Sequence, residues 1–265
     1  MSLRWSDRLY AALSPTGLNA AVWAPGWSAQ PAERASLPCS PSTSGPRWAP
    51  ALASLREWLG GRSARRGGLR VVLSNHFVRY LVLPWHDGMT GTAEREALAR
   101  HLLRETYGEI AEGWHVKLAP CAFGAPALVC AVDRELIAAL HGAAEGASLR
   151  LDAVQPMLMP AFNQFRRELA GDACLLVLEP GCLGCAVVRG GHWNAVQVSR
   201  VGSGWNEALV ERQIAVHGLA ADMPVYLFDA SGRAEPLRDG QAYRALRPPA
   251  ARRADPALAL FAHAT

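Results

Sequence analysis

The chain of 265 residues almost lacks lysine. Lys117 is the only lysine among the 27 basic residues, and all the others are arginines. A Walker A loop requires a lysine followed by serine or threonine to hold nucleotide phosphates, whereas Lys117 is followed by Leu118. The sequence therefore excludes a P-loop nucleotide-binding protein, and a Schiff-base or catalytic lysine would have to be Lys117.

Long apolar runs are also lacking. The most apolar segment, residues 173–188, is interrupted by Glu179 and Pro180 and is shorter than the roughly 20 apolar residues that cross a bilayer. The first ten residues include Arg4, Asp7 and Arg8 and contain no apolar core of a secretory signal. We therefore expect a cytoplasmic protein whose six cysteines are free thiols.

The composition is typical of a folded protein, and its charge does not indicate a strongly charged partner such as a nucleic acid. Hydrophobic residues make up 50% of the chain and charged residues 19%, which is enough apolar material for a sizeable core. The net charge is only +4, and Arg62, Arg65 and Arg66 form a small basic cluster. We therefore predict no nucleic-acid binding.

Short apolar strands alternate with helical patterns along the chain, and this alternation predicts an α/β fold. Residues 9–22 read as a hairpin around Pro15 and Gly17, and a similar pattern returns later: Leu13–Val22 aligns with Leu178–Val187. Both stretches read as a strand, a polar residue, a proline, a glycine-bearing turn and a second strand. Either the chain contains a duplicated unit, or two unrelated hairpins share common turn residues.

Four stretches resemble the actin-like assembly proteins of type IV pili and type II secretion systems, the family of PilM, MshI and the cytoplasmic part of GspL. One is a strand ending in Leu83-Pro84, and another is the strand-to-helix step that begins Ala131-Val132-Asp133. The third combines Val154-Gln155-Pro156 with Ala161-Phe162-Asn163. The last runs from the second hairpin through Arg200 to Gly204. The resemblance covers roughly residues 8–230, and the order and spacing of the motifs carry it.

The resemblance implies an actin-like bilobal fold with two ribonuclease H-like mixed sheets, the second lobe being short. We expect the first lobe at residues 1–165, with an inserted subdomain at about 85–150. The second lobe is expected at residues 166–235, followed by a Pro/Arg-rich tail at 236–265. Residues 24–50 are expected to form an irregular connection.

In actin-like ATPases two glycine-rich hairpins cradle the phosphates with backbone N–H groups, and an aspartate at each hairpin organises the metal. Here Ser14 and Glu179 take the aspartate positions, and Pro15 and Pro180 each remove an N–H donor. Ser14 with Gly17, and Glu179 with Gly181, are thus interpreted as vestigial phosphate hairpins. We expect a pseudo-ATPase: not an enzyme, without a catalytic residue or cofactor, and without appreciable binding of ATP and magnesium.

The pair Cys182 and Cys185 has the CxxC spacing of a zinc ligand pair. A structural zinc ion needs four ligands, usually from a second such pair, and the sequence offers none at that spacing. We therefore interpret the two as packed cysteines and predict no metal site.

Tryptophan is unexpectedly frequent, with nine residues in the chain. Six of them fall within the first 85 residues. They could pack beneath a long loop, or they could line a groove for a partner peptide, since tryptophan is enriched in binding hot spots. For the second alternative we select Trp27, Trp48 and Trp85 as candidate partner-binding residues.

The resemblance implies a function in assembly. It predicts a non-catalytic cytoplasmic scaffold of a bacterial type IV pilus or type II secretion-like machine, at the inner face of the inner membrane. Its partner would be a bitopic protein of the inner-membrane platform, whose peptide tail binds the first lobe. Two alternatives stay open: a nucleotide-binding actin-like ATPase or phosphotransferase of the same fold, and a protein–protein module unrelated to pili.

Overall fold

A computed structural model describes residues 7–24, 31–62, 67–88, 91–202, 207–231 and 242–247. The chain divides into two compact units. The first unit consists of Met1–Phe77, Glu135–Pro160 and Pro248–Thr265, and the second of Val78–Arg134 and Ala161–Arg247. No helix within the described ranges is long and apolar enough to cross a membrane.

The first unit is built on a five-stranded sheet. Its elements are β1 (Asp7–Ser14), β2 (Gly17–Trp23), β3 (Glu33–Pro38), α1 (Ala49–Gly60), β4 (Gly67–Leu73), α3 (Arg134–Gly146) and β8 (Arg150–Pro156). The strand order is β3-β2-β1-β4-β8. Strand β2 is antiparallel to β1 and β3, whereas β4 is parallel to both β1 and β8.

The core of this unit follows from the apolar pattern. Most residues of β1 are buried on both faces of the strand, as expected for the centre of a sheet covered on both sides. In α1 the buried leucines Leu52, Leu55 and Leu59 are spaced by three and four residues, so they share one face of the helix. Burial of each such side chain contributes about 1.5–3 kcal/mol.

The second unit contains a sheet with the same plan. Its elements are the part of α4 (Leu158–Gln164) from Ala161 onward, β9 (Ala173–Glu179), β10 (Cys182–Arg189), β11 (His192–Arg200), α5 (Ala208–Val216), β12 (Val225–Asp229) and β13 (Arg244–Leu246). The strand order is β11-β10-β9-β12-β13. Strand β10 is antiparallel to β9 and β11, and β12 is parallel to β9 and β13. The prediction of two similar sheets with equivalent hairpins is confirmed.

The second unit also contains a three-stranded antiparallel sheet. Its strands are β5 (Val78–Leu83), β6 (Trp114–Leu118) and β7 (Ala127–Asp133), in the order β5-β7-β6. The helix α2 (Thr92–Tyr107) packs on one face of this sheet, where Leu103 joins Leu83, Val116 and Val129 in one apolar cluster. Strand β5 also lies alongside β11 of the larger sheet.

Three elements differ from the sequence-based expectations. Strand β3 lies within residues 24–50, which were expected to be irregular, and β13 lies within the expected tail. The helical spacing of Met157, Ala161 and Phe165 predicts a helix over residues 156–169, whereas α4 begins at Leu158 and ends at Gln164, and residues 165–169 form turns. The domain boundaries themselves remain a prediction.

Candidate functional site

The first hairpin, between β1 and β2, closes over two residues. Ser14 pairs with Gly17 across the turn formed by Pro15 and Thr16. The Ser14 hydroxyl donates a hydrogen bond to the Gly17 carbonyl at 3.1 Å and lies 3.3 Å from the Thr16 hydroxyl oxygen. The side chain at this aspartate position is therefore engaged within its own turn.

The neighbouring strand β3 explains why residue 17 is a glycine. A Cβ atom at Gly17 would lie 3.0 Å from the backbone oxygen of Leu37 in β3, closer than most Cβ contacts. The Thr16 carbonyl accepts a hydrogen bond of 2.8 Å from Cys39, just beyond the end of β3. The glycine permits this close approach of β3 to the hairpin.

The second hairpin, between β9 and β10, has the same length. Glu179 pairs with Cys182 across Pro180 and Gly181. Gly181 has φ of +74°, which is the conformation that the third residue of a type II turn requires after a proline. The Gly181 carbonyl accepts a hydrogen bond of 3.2 Å from Val201, which ties the turn to the chain beyond β11.

Glu179 is the most buried acid described in the second unit, with 3% of its surface exposed. The strand beside β9, β12, ends at Asp229, whose carboxylate accepts hydrogen bonds from the Ser231 N–H at 2.8 Å and the Ser231 hydroxyl at 2.5 Å. The Ala230 N–H donates to the Leu178 carbonyl at 2.8 Å, so the two strand ends are joined.

The two hairpin turns offer few hydrogen-bond donors to a phosphate. A phosphate-binding loop presents successive free backbone N–H groups, whereas the first residue of each two-residue turn is a proline, which has no N–H. Ser14 and Gly17 are brought together in one unit, and Glu179 and Gly181 in the other. Within the described ranges, no group of three or more His, Cys, Asp or Glu side chains could hold a metal ion.

The two cysteines of the CxxC pair project from opposite faces of β10. Cys185 packs with Leu183 and Cys174 in one apolar cluster, whereas Cys182, an odd number of residues away, points to the other face. The sulfurs of Cys185 and Cys174 are 3.6 Å apart. Their hydrogen bond, together with burial, raises the pKa of Cys185 well above its ordinary value, so Cys185 remains a thiol. This geometry agrees with packed cysteines.

The candidate tryptophans do not form one cluster. Trp27 lies outside the described residues. Trp48 is the half-buried residue that precedes α1 in the first unit, and Trp85 follows β5 in the second. Of the two tryptophans that the structure describes, Trp85 has the surroundings of a binding surface.

Trp85 is the centre of a small aromatic platform formed with Phe123 and Arg95. The Phe123 ring stacks edge-on against the indole, with centroids 4.6 Å apart, and is 83% exposed. The Arg95 guanidinium lies 5.1 Å from the indole centroid. The indole N–H donates to the Asp87 carboxylate at 2.9 Å, which fixes the ring.

Arg95 also joins helix α2 to the loop that carries Phe123. Its two terminal nitrogens donate to the Cys121 sulfur at 3.3 and 3.2 Å. A single guanidinium thus holds the loop and the indole in one arrangement. Arg95 and Phe123 were not among the candidates from sequence, and the only available signal was a phenylalanine before Gly124 in a short loop of small residues and prolines.

A cavity of about 290 Å³ opens in the first unit beside β1. An ion pair between Arg62 and Glu33 lies at its wall, and the Arg62 guanidinium stacks 4.1 Å from the centroid of Trp58. The acids Asp7 and Glu33 line it together with Arg62, so its polar lining has no excess of positive charge for a phosphate. None of Ser14, Gly17, Glu179 or Gly181 lines this cavity, so it is separate from the two hairpin turns.

Comparisons with known proteins establish the fold. No protein-family model matches the chain, and no curated protein matches its sequence. Among solved structures, the cytoplasmic domain of EpsL, an inner membrane component of the type II secretion system of Vibrio cholerae, matches with a TM-score of 0.61 and 13% identity. That match covers 97% of this chain and 93% of the EpsL domain.

Two further structures agree. The PilM–PilN type IV pilus biogenesis complex matches with a TM-score of 0.55 and 16% identity, over 85% of this chain and 82% of that one. A Bacteroides thetaiotaomicron protein of unknown function with an actin-like ATPase fold matches with a TM-score of 0.57 and 11% identity, over 88% and 84%. At these identities the likeness concerns the fold alone. The chain therefore has the actin-like ATPase fold, with two sheets of the same strand order.

Proposed function

We propose that this chain is a non-catalytic scaffold in the cytoplasmic part of a type IV pilus or type II secretion-like assembly machine. Its likeness to the EpsL domain and to the PilM–PilN complex supports the assembly role, because both belong to such machines. The partner is a bitopic protein of the inner-membrane platform, and this chain lies at the inner face of that membrane by binding the partner's peptide tail.

The platform of Trp85, Phe123 and Arg95 is the single observation that carries the binding role. Binding hot spots are enriched in tryptophan and arginine and are most effective when held rigidly before binding. Here the indole is held by Asp87, and the guanidinium is held by Cys121. A preorganised aromatic surface of this kind suits an apolar anchor residue of a peptide. Trp27 and Trp48 remain proposed additional anchors.

The non-catalytic role rests on the two hairpins. Ser14 and Glu179 stand at the positions of the metal-organising aspartates, and Gly17 has a packing reason of its own at β3. The proposal therefore treats Ser14, Gly17, Glu179 and Gly181 as remnants of phosphate hairpins, and it assigns no cofactor. The alternative function, an ATPase or phosphotransferase, is compatible with the actin-like ATPase fold. Measuring nucleotide binding distinguishes it from the scaffold function.

The partner role is tested by crosslinking in the native host followed by affinity purification. We expect a membrane protein with a single spanning segment, crosslinked through its cytoplasmic tail. The variants Trp85→Ala and Phe123→Ala should lose this partner while remaining folded by circular dichroism. The control Val216→Ala removes another exposed apolar side chain, 58% exposed on α5, and should retain the partner. Absence of any membrane-anchored partner would show that the scaffold proposal is wrong.

A further inference from the structure

The outer edge of β6 is the feature that the proposed function leaves unused. Among the described strands β6 pairs with β7 alone, so its other side is an edge of the three-stranded sheet. Edges of this kind present unpaired backbone groups and accept added strands from other chains.

The direction of the backbone groups on this edge follows from one hydrogen bond. The Ala119 N–H donates to the Leu128 carbonyl at 2.8 Å. Because hydrogen-bonded pairs alternate along antiparallel strands, His115 and Lys117 direct their peptide groups to β7. Val116 and Leu118 therefore direct theirs away from β7, toward the outer edge.

The two faces of the edge differ in character. Val116 joins the apolar cluster beneath α2, and Trp114 and Leu118 are half-buried against it. Trp114 stacks edge-on with Tyr107, with centroids 5.1 Å apart. Tyr107 is 40% exposed, and Ile110, between Tyr107 and Trp114 in the chain, is 67% exposed. The α2 face of β6 is thus apolar at Trp114, Val116 and Leu118.

The opposite face carries charge. Lys117 and His115 are exposed there, and within the described part of the chain Lys117 forms no ion pair. The residue opposite Lys117 in β7 is Cys130. Burial raises the pKa of the Cys130 thiol to about 12, so this neighbour is neutral and leaves the ammonium charge uncompensated.

We propose that the outer edge of β6 binds an extended segment of another protein in which acidic and apolar residues alternate, as a fourth strand of the sheet. The apolar residues would continue the surface of Trp114 and Leu118, and an acidic residue would lie opposite Lys117. A lysine on an edge strand discourages strand addition in general, and an acidic residue opposite Lys117 would offset that cost through an attractive cross-strand pair. This inference does not rest on the proposed function.

The first test uses a fluorescein-labelled peptide of alternating glutamate and valine, about eight residues long to span the five residues of β6. Fluorescence anisotropy with the full chain should give saturable binding. A peptide of alternating lysine and valine should bind more weakly by about ten-fold or more. Equal affinity for the two peptides, or no binding of the acidic one, overturns the proposal.

A charge-reversal variant of the protein tests whether the peptide binds next to Lys117. Lys117→Glu should weaken binding of the acidic peptide by about five-fold or more, because an attractive pair becomes a repulsive one, and should strengthen binding of the lysine peptide. The exposed Arg189→Glu, at the end of β10, carries the same change of charge and should leave both affinities unchanged. If both variants behave alike, the peptide does not bind at β6.

Strand addition has a signature that surface adsorption lacks. On peptide binding, the Val116 and Leu118 amides should gain hydrogen-exchange protection, whereas the His115 and Lys117 amides, already directed to β7, should not change. Two further peptides carry backbone N-methyl groups, one on all its valines and the other on all its glutamates. Only one of the two should lose binding, because alternate residues of an added strand direct their amides to β6. Equal effects in the two peptides, or self-association of the chain through this edge without peptide, contradict the proposal.

Discussion

Ser14 and Glu179 occupy the same backbone position in two separate hairpins. Each is the last residue before a two-residue turn that begins with proline, and each pairs across that turn, with Gly17 and with Cys182. Their surroundings differ, because Ser14 is half-buried and hydrogen-bonded within its turn whereas Glu179 is 3% exposed. The two turns share their length and their leading proline, but φ is positive at Gly181 and not at Thr16. The repeat in the sequence therefore reflects two similar hairpins and does not require a shared ligand.

The nucleotide prediction follows from these two positions. We expect isothermal titration calorimetry with ATP and magnesium to show no binding tighter than millimolar, equivalent to about 4 kcal/mol. We also expect no magnesium-dependent ATP hydrolysis above background. A micromolar dissociation constant would instead support the alternative function, an actin-like ATPase or phosphotransferase.

Gly17→Ala should lower the free energy of unfolding by about 1–3 kcal/mol, the usual range for overpacking. The reason is the backbone oxygen of Leu37, which would lie 3.0 Å from the new Cβ atom and belongs to a paired strand. The matched control is Gly60→Ala, whose new Cβ atom would have no other atom within 4 Å. Urea denaturation measures both, and a neutral Gly17→Ala would show that β3 can move away.

Phe123→Ala should separate binding from stability. The ring is 83% exposed, so its removal should change the free energy of unfolding by less than about 0.5 kcal/mol. Loss of a hot-spot side chain costs about 2 kcal/mol or more of binding free energy, so affinity for the partner peptide should fall more than ten-fold. Urea denaturation and titration calorimetry supply the two values. An unchanged affinity would exclude the platform as the peptide site.

His217 should make the second unit sensitive to acid. Its Nε2 atom is buried without a hydrogen-bond partner in the described structure, and burial lowers the pKa of the imidazole from 6.5. The imidazole of His217 therefore binds a proton more tightly in the unfolded chain than in the folded one. The free energy of unfolding should be highest above about pH 6.5 and should decrease as the pH falls through the lowered pKa.

The comparison variants for this prediction are His217→Gln and the exposed His115→Gln. Thermal unfolding from pH 7.5 to pH 5 should be less pH-dependent in the first variant and unchanged in the second. A pH dependence that persists fully in His217→Gln would assign the effect to another group.

The central strands and turns were predictable because their signals are local. Pro15 and Gly17, and later Pro180 and Gly181, mark the two hairpins within a few residues of sequence. The buried strands around them are continuous apolar runs. The topology of the two sheets could then be expected from the repeat and from the family resemblance.

Two edge strands, β3 and β13, were not predictable on the same grounds. Glu33–Pro38 alternates exposed and half-buried residues with no fully buried one, so it carries little apolar pattern. Strand β13 has only three residues and depends on pairing with β12. The Trp85 platform was only partly found, because Arg95 meets Cys121 across 26 residues of sequence, a contact that tertiary packing alone creates.

The solitary lysine on β6 makes this edge chemically addressable. Lys117 is the only side-chain amine of the chain, and it is exposed. An amine-reactive photo-crosslinker applied to the purified chain would therefore attach to one known side chain, besides the α-amino group, without mutagenesis. Mass spectrometry of the products trapped after the labelled chain is added to a cell extract would then identify which neighbour occupies that edge.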